Sequence, residues 1–274
     1  MIISFLRRFL CSSLFFSCFL QAQDLQDLPL FPDEAIALQL LDVAPTEAAL
    51  EALSEILMIH ALRMDATARE ANDPNIAIDM QQMSLEYAWR AVKADPGNLA
   101  GLRFLGGKLP SFSETNIALA IDLLSRAQQI EYDEKLALLL TGLLARNGHY
   151  IEVVNELEPL LATQTYRASI SEDEEVAAVV LLGNAYLISG QLDRGKDFFS
   201  NRVSEEPARP DDWSALARIM AALDETDQAI AQLDASIADM SEGDPAIARL
   251  DEIRLGLRAD QILVDWRRSM EDTQ

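Results

Sequence analysis

After residue 45 the apolar positions of this chain return at helical intervals almost without a break. Residues 46–70 form one long pattern with apolar side chains three and four apart, and 76–94 form another. A stripe of that period buries one side of an α-helix. The second pattern closes on Asp95-Pro96-Gly97-Asn98, a stop followed by a turn. Leu102, Leu105 and Gly106 start a further helix, and Ala120, Leu124 and Ala127 mark the helix paired with it. Ala137, Leu140, Thr141 and Leu144 begin the next, with Gly148 and Tyr150 in its turn. β-Branched runs are short, and 11 Gly and 10 Pro are few for 274 residues, so the pattern predicts helices and no sheet.

Two stretches repeat each other. Aligned without gaps at a shift of 34, residues 179–203 match 213–237: Leu182 meets Leu216, Gly183 meets Ala217, Tyr186 meets Met220, Gly195 meets Ala229 and Phe199 meets Leu233. Large falls on large and small on small, as helix pairing requires. Leu182, Gly183 and Tyr186 share a face. The small residue there is expected to let the second helix of the pair come close, with Gly195 or Ala229 as the matching small surface. Gly190, or Asp224 in the next copy, makes the turn, and Pro207 ends the pair. Leu105 to Leu140 is 35 residues and Leu140 to Leu182 is 42; the excess falls in 163–174, expected as a polar loop, after which Ser171 and Glu174 read as a capping box.

Leu182, Gly183, Tyr186, Gly190, Gly195, Phe199 and Pro207, followed by Trp213, Leu216, Ala217, Ala229 and Leu233, resemble tetratricopeptide (TPR) repeats of the exported bacterial type. The resemblance is dense over 176–240 and thinner over the rest of 46–243. It implies an all-α fold: an α-solenoid of five antiparallel helix pairs, closed by a C-terminal capping helix over 246–270 after Gly243-Asp244-Pro245. The expected organisation is an export signal over 1–22, a linker and short N-terminal segment over 23–45, helical repeats over 46–243, and the capping helix and tail over 244–274.

The resemblance also implies a concave face lined by first helices that takes another protein or a peptide. Asn184 and Arg218 are equivalent positions on that face, Arg103, Lys135 and Arg146 fall at other inner-face registers, and Leu138, Val180 and Leu187 are its apolar residues. The alternative is that these charges are scattered solubilising side chains. The family's clamp for C-terminal carboxylates is not reproduced, since Val180 stands one turn before Asn184 where a lysine would be needed.

The first residues have a different character. Arg7 and Arg8 precede an apolar run over 9–20, and Asp24 opens an acidic stretch. That order is the layout of a secretory signal, with Ala22 as the cleavage point. The run is shorter than the ~20 residues of a membrane span. Phe15-Phe16-Ser17-Cys18 also resembles a degenerate lipobox, with Cys18 as the lipid-bearing residue and the N-terminus as a membrane tether. An uncleaved anchor and a buried N-terminal helix are the other readings. Both cysteines, Cys11 and Cys18, lie in this segment, so cleavage after Ala22 leaves no thiol for a disulfide or a metal. The location expected is outside the cytoplasm, periplasmic or extracellular.

A net charge of −23 disfavours a nucleic-acid partner, which needs a basic surface. Catalytic signatures are missing. His60 and His149 are the only histidines and are not spaced as metal ligands; His60 sits in an apolar run and reads as a core or groove residue. Glu172-Asp173-Glu174-Glu175 and Asp211-Asp212 read as helix-start acids. No phosphate loop or nucleophile elbow occurs. No cofactor and no enzymatic activity are expected. The expected function is an exported interaction module, a scaffold or assembly factor of the cell envelope. The alternative is an envelope enzyme or enzyme subunit acting on glycan through paired carboxylates.

Overall fold

The computed structural model describes residues 46–205 and 209–271. The export segment with Cys11 and Cys18, the 23–45 stretch and Pro207 lie outside these residues. The chain divides into two compact units at Asn98.

The first unit is one helical hairpin, α1 (Glu47–Glu70) and α2 (Pro74–Ala94). The Thr46 hydroxyl caps α1 by accepting from the Ala49 N–H. Asp73 caps α2, which begins at Pro74 rather than at Ile76; proline at the first helical position needs no N–H partner and already has the helical φ. Leu57, Ala61 and Ala68 of α1 and Tyr87, Ala88 and Ala91 of α2 are all buried in the hairpin. Buried Ser54 donates to the Ala91 carbonyl at 2.8 Å and accepts from the Asn98 amide at 2.7 Å, which folds the turn after α2 back onto α1. His60 is 1% exposed, its ring tilted against Tyr87 at 5.8 Å, so of the two readings, core and groove, it is a core histidine.

The second unit continues with α3 (Leu99–Lys108), α4 (Ile117–Ile130), α5 (Glu134–Arg146), α6 (Tyr150–Ala162), α7 (Gln164–Ser169), α8 (Glu172–Ser189), α9 (Leu192–Glu205), α10 (Pro210–Ala222), α11 (Thr226–Asp239) and α12 (Pro245–Glu271). Two 3₁₀ turns, Leu109–Ser111 and Glu114–Asn116, join α3 to α4. No strand occurs among the described residues. Four pairs stack in chain order: α3 with α4, α5 with α6, α8 with α9, and α10 with α11. α12 covers the last pair through α10 and α11. With the α1–α2 hairpin this makes five helix pairs and a terminal helix, an all-α fold of TPR-like antiparallel pairs.

Small residues set the spacing, but not all at the expected contacts. A Cβ on Gly195 would lie 2.7 Å from the root of the Tyr186 ring, so this glycine lets α9 close on α8. A Cβ on Gly183 would first meet Ala215 of α10, at 3.0 Å, with Phe199 of α9 at 3.9 Å. Gly183 therefore governs the approach of the next pair more than that of its own partner. The turns follow the repeat: Gly190 has φ 72°, and Asp224, 34 residues on, has φ 60°. Asp224 is the one non-glycine with positive φ among the described residues, and aspartate tolerates that region better than most.

The segment over 163–174 is not a simple polar loop. It holds α7, whose Tyr166 is fully buried. Desolvation, reinforced by Tyr132 and Glu134, pushes the Tyr166 phenol up to about 12. Tyr166 is the largest apolar surface the run can bury, and burying it pins the segment down, with Ile170 half-buried after it. The Ser171–Glu174 capping box forms as its spacing required.

Candidate interaction face

The eight residues expected on a binding face lie on α3, α5, α8 and α10, the first helices of the second unit: Lys135, Arg146, Val180 and Arg218 are exposed, and Arg103, Leu138, Asn184 and Leu187 are half-buried. On α8, Val180, Asn184 and Leu187 lie three and four residues apart, opposite the buried row of Ala178, Leu182 and Tyr186; Val180 is 45% exposed. On α5 the same side carries Lys135, Leu138 and Arg146, of which Lys135 and Arg146 are exposed and Leu138 half-buried. Arg218 is exposed on α10, and Arg103 is half-buried on α3. Repeat register aligns Arg103, Leu138, Val180 and Ser214 in one row and Gly107, Gly142, Asn184 and Arg218 in the next.

The cations are not equivalent. Arg103 pairs with Glu131 and Asp133 at 3.2 and 3.5 Å, in the turn between α4 and α5. Arg146 pairs with Glu114 at 2.5 Å. Lys135 and Arg218 have no ion pair among the described residues. The helix boundaries also reveal a segregation of charge. Beyond their first turns α5, α8 and α10 contain no carboxylate, and α3 contains none at all. The acids sit on the second helices: Asp122 on α4, three glutamates on α6, and Asp227, Asp234 and Asp239 on α11.

Two carboxylates assigned from the sequence to helix starts do other work. Glu175 and Asp212 are 6% and 1% exposed and converge on Arg202, itself 5% exposed. The Arg202 guanidinium donates to Asp212 at 2.7 and 3.0 Å, to Glu175 at 3.1 Å and to the Leu161 carbonyl at 3.0 Å. Arg209 adds a second contact to Glu175 at 2.9 Å. Three helices, α8, α9 and α10, and the end of α6 are joined by this one side chain. Burial pushes the Asp212 carboxyl above the ordinary range, against the pull of Arg202 and Arg209. A sequence signal existed: Arg202 follows Phe199 by three residues and precedes Val203, on the buried side of α9. Which acids it meets depends on how successive pairs stack, and that is not local information.

A cavity of about 560 Å³ opens elsewhere, between α9 and α11 over Trp213, with Val203, Ala235, Met240, Ser236 and Asp239 among its walls. None of the eight expected groove residues lines it.

The architecture and the 34-residue register place the chain in the class of TPR-like helix-pair repeats. Among solved structures it is similar to YrrB, described as a TPR protein with an unusual peptide-binding site, at 13% identity and TM-score 0.44, covering 81% of this chain and 97% of that one. It is also similar to yeast Tom70, at 13% identity and TM-score 0.25, covering 83% of this chain and 58% of that one. No family profile and no curated protein matches the sequence.

Proposed function

We propose that the chain is an exported interaction module, a scaffold or assembly factor, that takes a peptide or protein segment on the outward sides of α3, α5, α8 and α10. The observation that carries this reading is the segregation of charge. In a chain with 45 acidic residues, chance would scatter carboxylates over every exposed face. Here the first helices of the second unit are spared beyond their first turns, unlike α1 with its Glu51, Glu55, Asp65 and Glu70, and they offer Leu138, Val180 and Leu187 interleaved with cations. Such a face suits an acidic or carboxylate-bearing segment with apolar side chains: contact area supplies affinity, and charge supplies steering over about 8–10 Å. Glycan cleavage by paired carboxylates gains no support from the buried acids, because Glu175 and Asp212 are both engaged by Arg202 and Arg209.

The test is capture of partners from the exported fraction by wild type and by the variant Lys135→Glu with Arg218→Glu. This variant removes the cations without ion pairs and leaves the Arg103–Glu131 contact intact. Reduced capture with unchanged circular dichroism is expected; adding Arg103→Glu should reduce it further. Unchanged capture by the triple variant would eliminate the charged face and direct attention to Leu138, Val180 and Leu187. Export is tested separately. Mass spectrometry of the native N-terminus should find residues 1–22 missing or lipid on Cys18, and an intact cytosolic Met1 overturns both.

A further inference from the structure

We propose that the distal half of α12 is a self-association surface that pairs antiparallel with α12 of a second copy of this chain. The starting point is that α12 is apolar on two opposite sides. Ala246, Leu250 and Leu257 are buried against the last helix pair, and the Asp234 carboxylate on α11 holds Arg254 at 2.6 Å and Arg258 at 3.1 Å. This contact ends there: beyond Leu257 no described side chain of α12 is buried. The opposite side carries Leu255, Ala259, Ile262, Leu263, Trp266 and Met270. Leu255 is 55% exposed, Ile262 68%, Leu263 53%, Trp266 59% and Met270 52%.

The spacing of that second stripe is specific. Leu255, Ala259, Ile262 and Trp266 alternate four and three residues, the seam of a helix that packs along another helix. A helix that only caps a stack needs one apolar side and a polar back. A handful of side chains from each copy makes a small contact, and association through interfaces below about 1,200 Å² is weak and concentration-dependent.

Charge selects a second copy as the occupant. With a net −23, two copies of this chain repel overall, the cation-bearing sides of α3, α5 and α10 apart. Over 254–271 the sequence carries four arginines against Asp260, Asp265 and Glu271, so this stretch is close to neutral and bears both signs. It is therefore a place where like chains can touch. An antiparallel pair also leaves the two acidic bodies at opposite ends of the contact, whereas a parallel pair would set them side by side.

Sedimentation of the purified chain over a concentration series is expected to show a species of twice the mass of one chain. Ile262→Asp with Leu263→Asp should yield a single-chain mass throughout, at unchanged helix content. Orientation is read from single cysteines in a chain with Cys11→Ser and Cys18→Ser: a short bis-maleimide should join Ile262→Cys to itself and leave Leu255→Cys and Met270→Cys unjoined. A wild type that stays monomeric at every concentration overturns the proposal, also where α12 proves to hold a different protein. A dimer that survives the double aspartate variant, or equal cross-linking at all three positions, overturns it too.

Discussion

The α1–α2 hairpin and the segment from α8 to α10 solve the same problem, pairing helices closely, with different materials. In the hairpin the partners are neighbours in sequence and the contact is long. Alanines Ala61, Ala68, Ala88 and Ala91 are buried along it, and the buried polar link from Ser54 to Ala91 and Asn98 stays within the same hairpin. From α8 to α10 each helix is shorter and touches helices of more than one pair. Closeness there comes from glycines at single points, Gly183 and Gly195, and the polar link is a buried ion cluster reaching four helices through Arg202. A long local contact tolerates small errors because many residues share the load. A contact concentrated at one glycine or one guanidinium does not.

The comparison breaks most sharply at Arg202. Arg202→Met leaves Glu175 and Asp212 buried with only Arg209 beside them, and should cost about 3–5 kcal/mol in chemical denaturation. The loss should depend on pH. The Asp212 carboxyl is raised in the folded protein, so its ionised form is the one folding disfavours, and its contribution to stability declines as pH rises from the ordinary carboxylate range through the raised value. Removing Arg202 raises it further. The variant's deficit is therefore expected to be smaller near pH 4 than at pH 7; a deficit that grows on acidification would contradict the assignment.

Gly195→Ala comes next. One methyl placed against the Tyr186 ring should cost about 1–3 kcal/mol, although alanine is the better helix former. Tyr186 cannot swing aside freely, since its hydroxyl donates to Glu158. A thermal shift near zero would show that α8 and α9 can part without penalty. In the hairpin, Ser54→Ala removes one hydrogen bond at each end of the link and should cost about 1–2 kcal/mol by the same measurement. If it proved as damaging as Arg202→Met, the hairpin would be as dependent on one group as the later pairs are.

Much of this molecule could be read in advance because its elements are set by residues near one another. The helix start at Thr46 and the Ser171 capping box are local in this way; the Asp73 cap is local too, yet the apolar pattern alone points to a start at Ile76. The left-handed turns at Gly190 and Asp224 and the buried rows that recur at 34 residues also depend on local pattern. Tyr166 was missed because a single aromatic in a polar run has no period to betray a helix. The equivalence of Asn184 and Arg218 follows from the 34-residue repeat, whereas the sparing of the second unit's first helices from acids emerged only once helix limits separated first from second helices.

By itself the sequence determined that the chain is helical, where most helices start and turn, and which side of each is apolar, since propensity, capping and a 3.6-residue period act over one or two turns. Tertiary structure alone decided what those sides meet. It set Gly183 against Ala215 of the following pair, gathered Glu175 and Asp212 around Arg202, and left one apolar stripe of α12 facing outward. The reason is physical: a buried contact joins residues tens of positions apart, and its energy depends on distances that no short window of sequence contains.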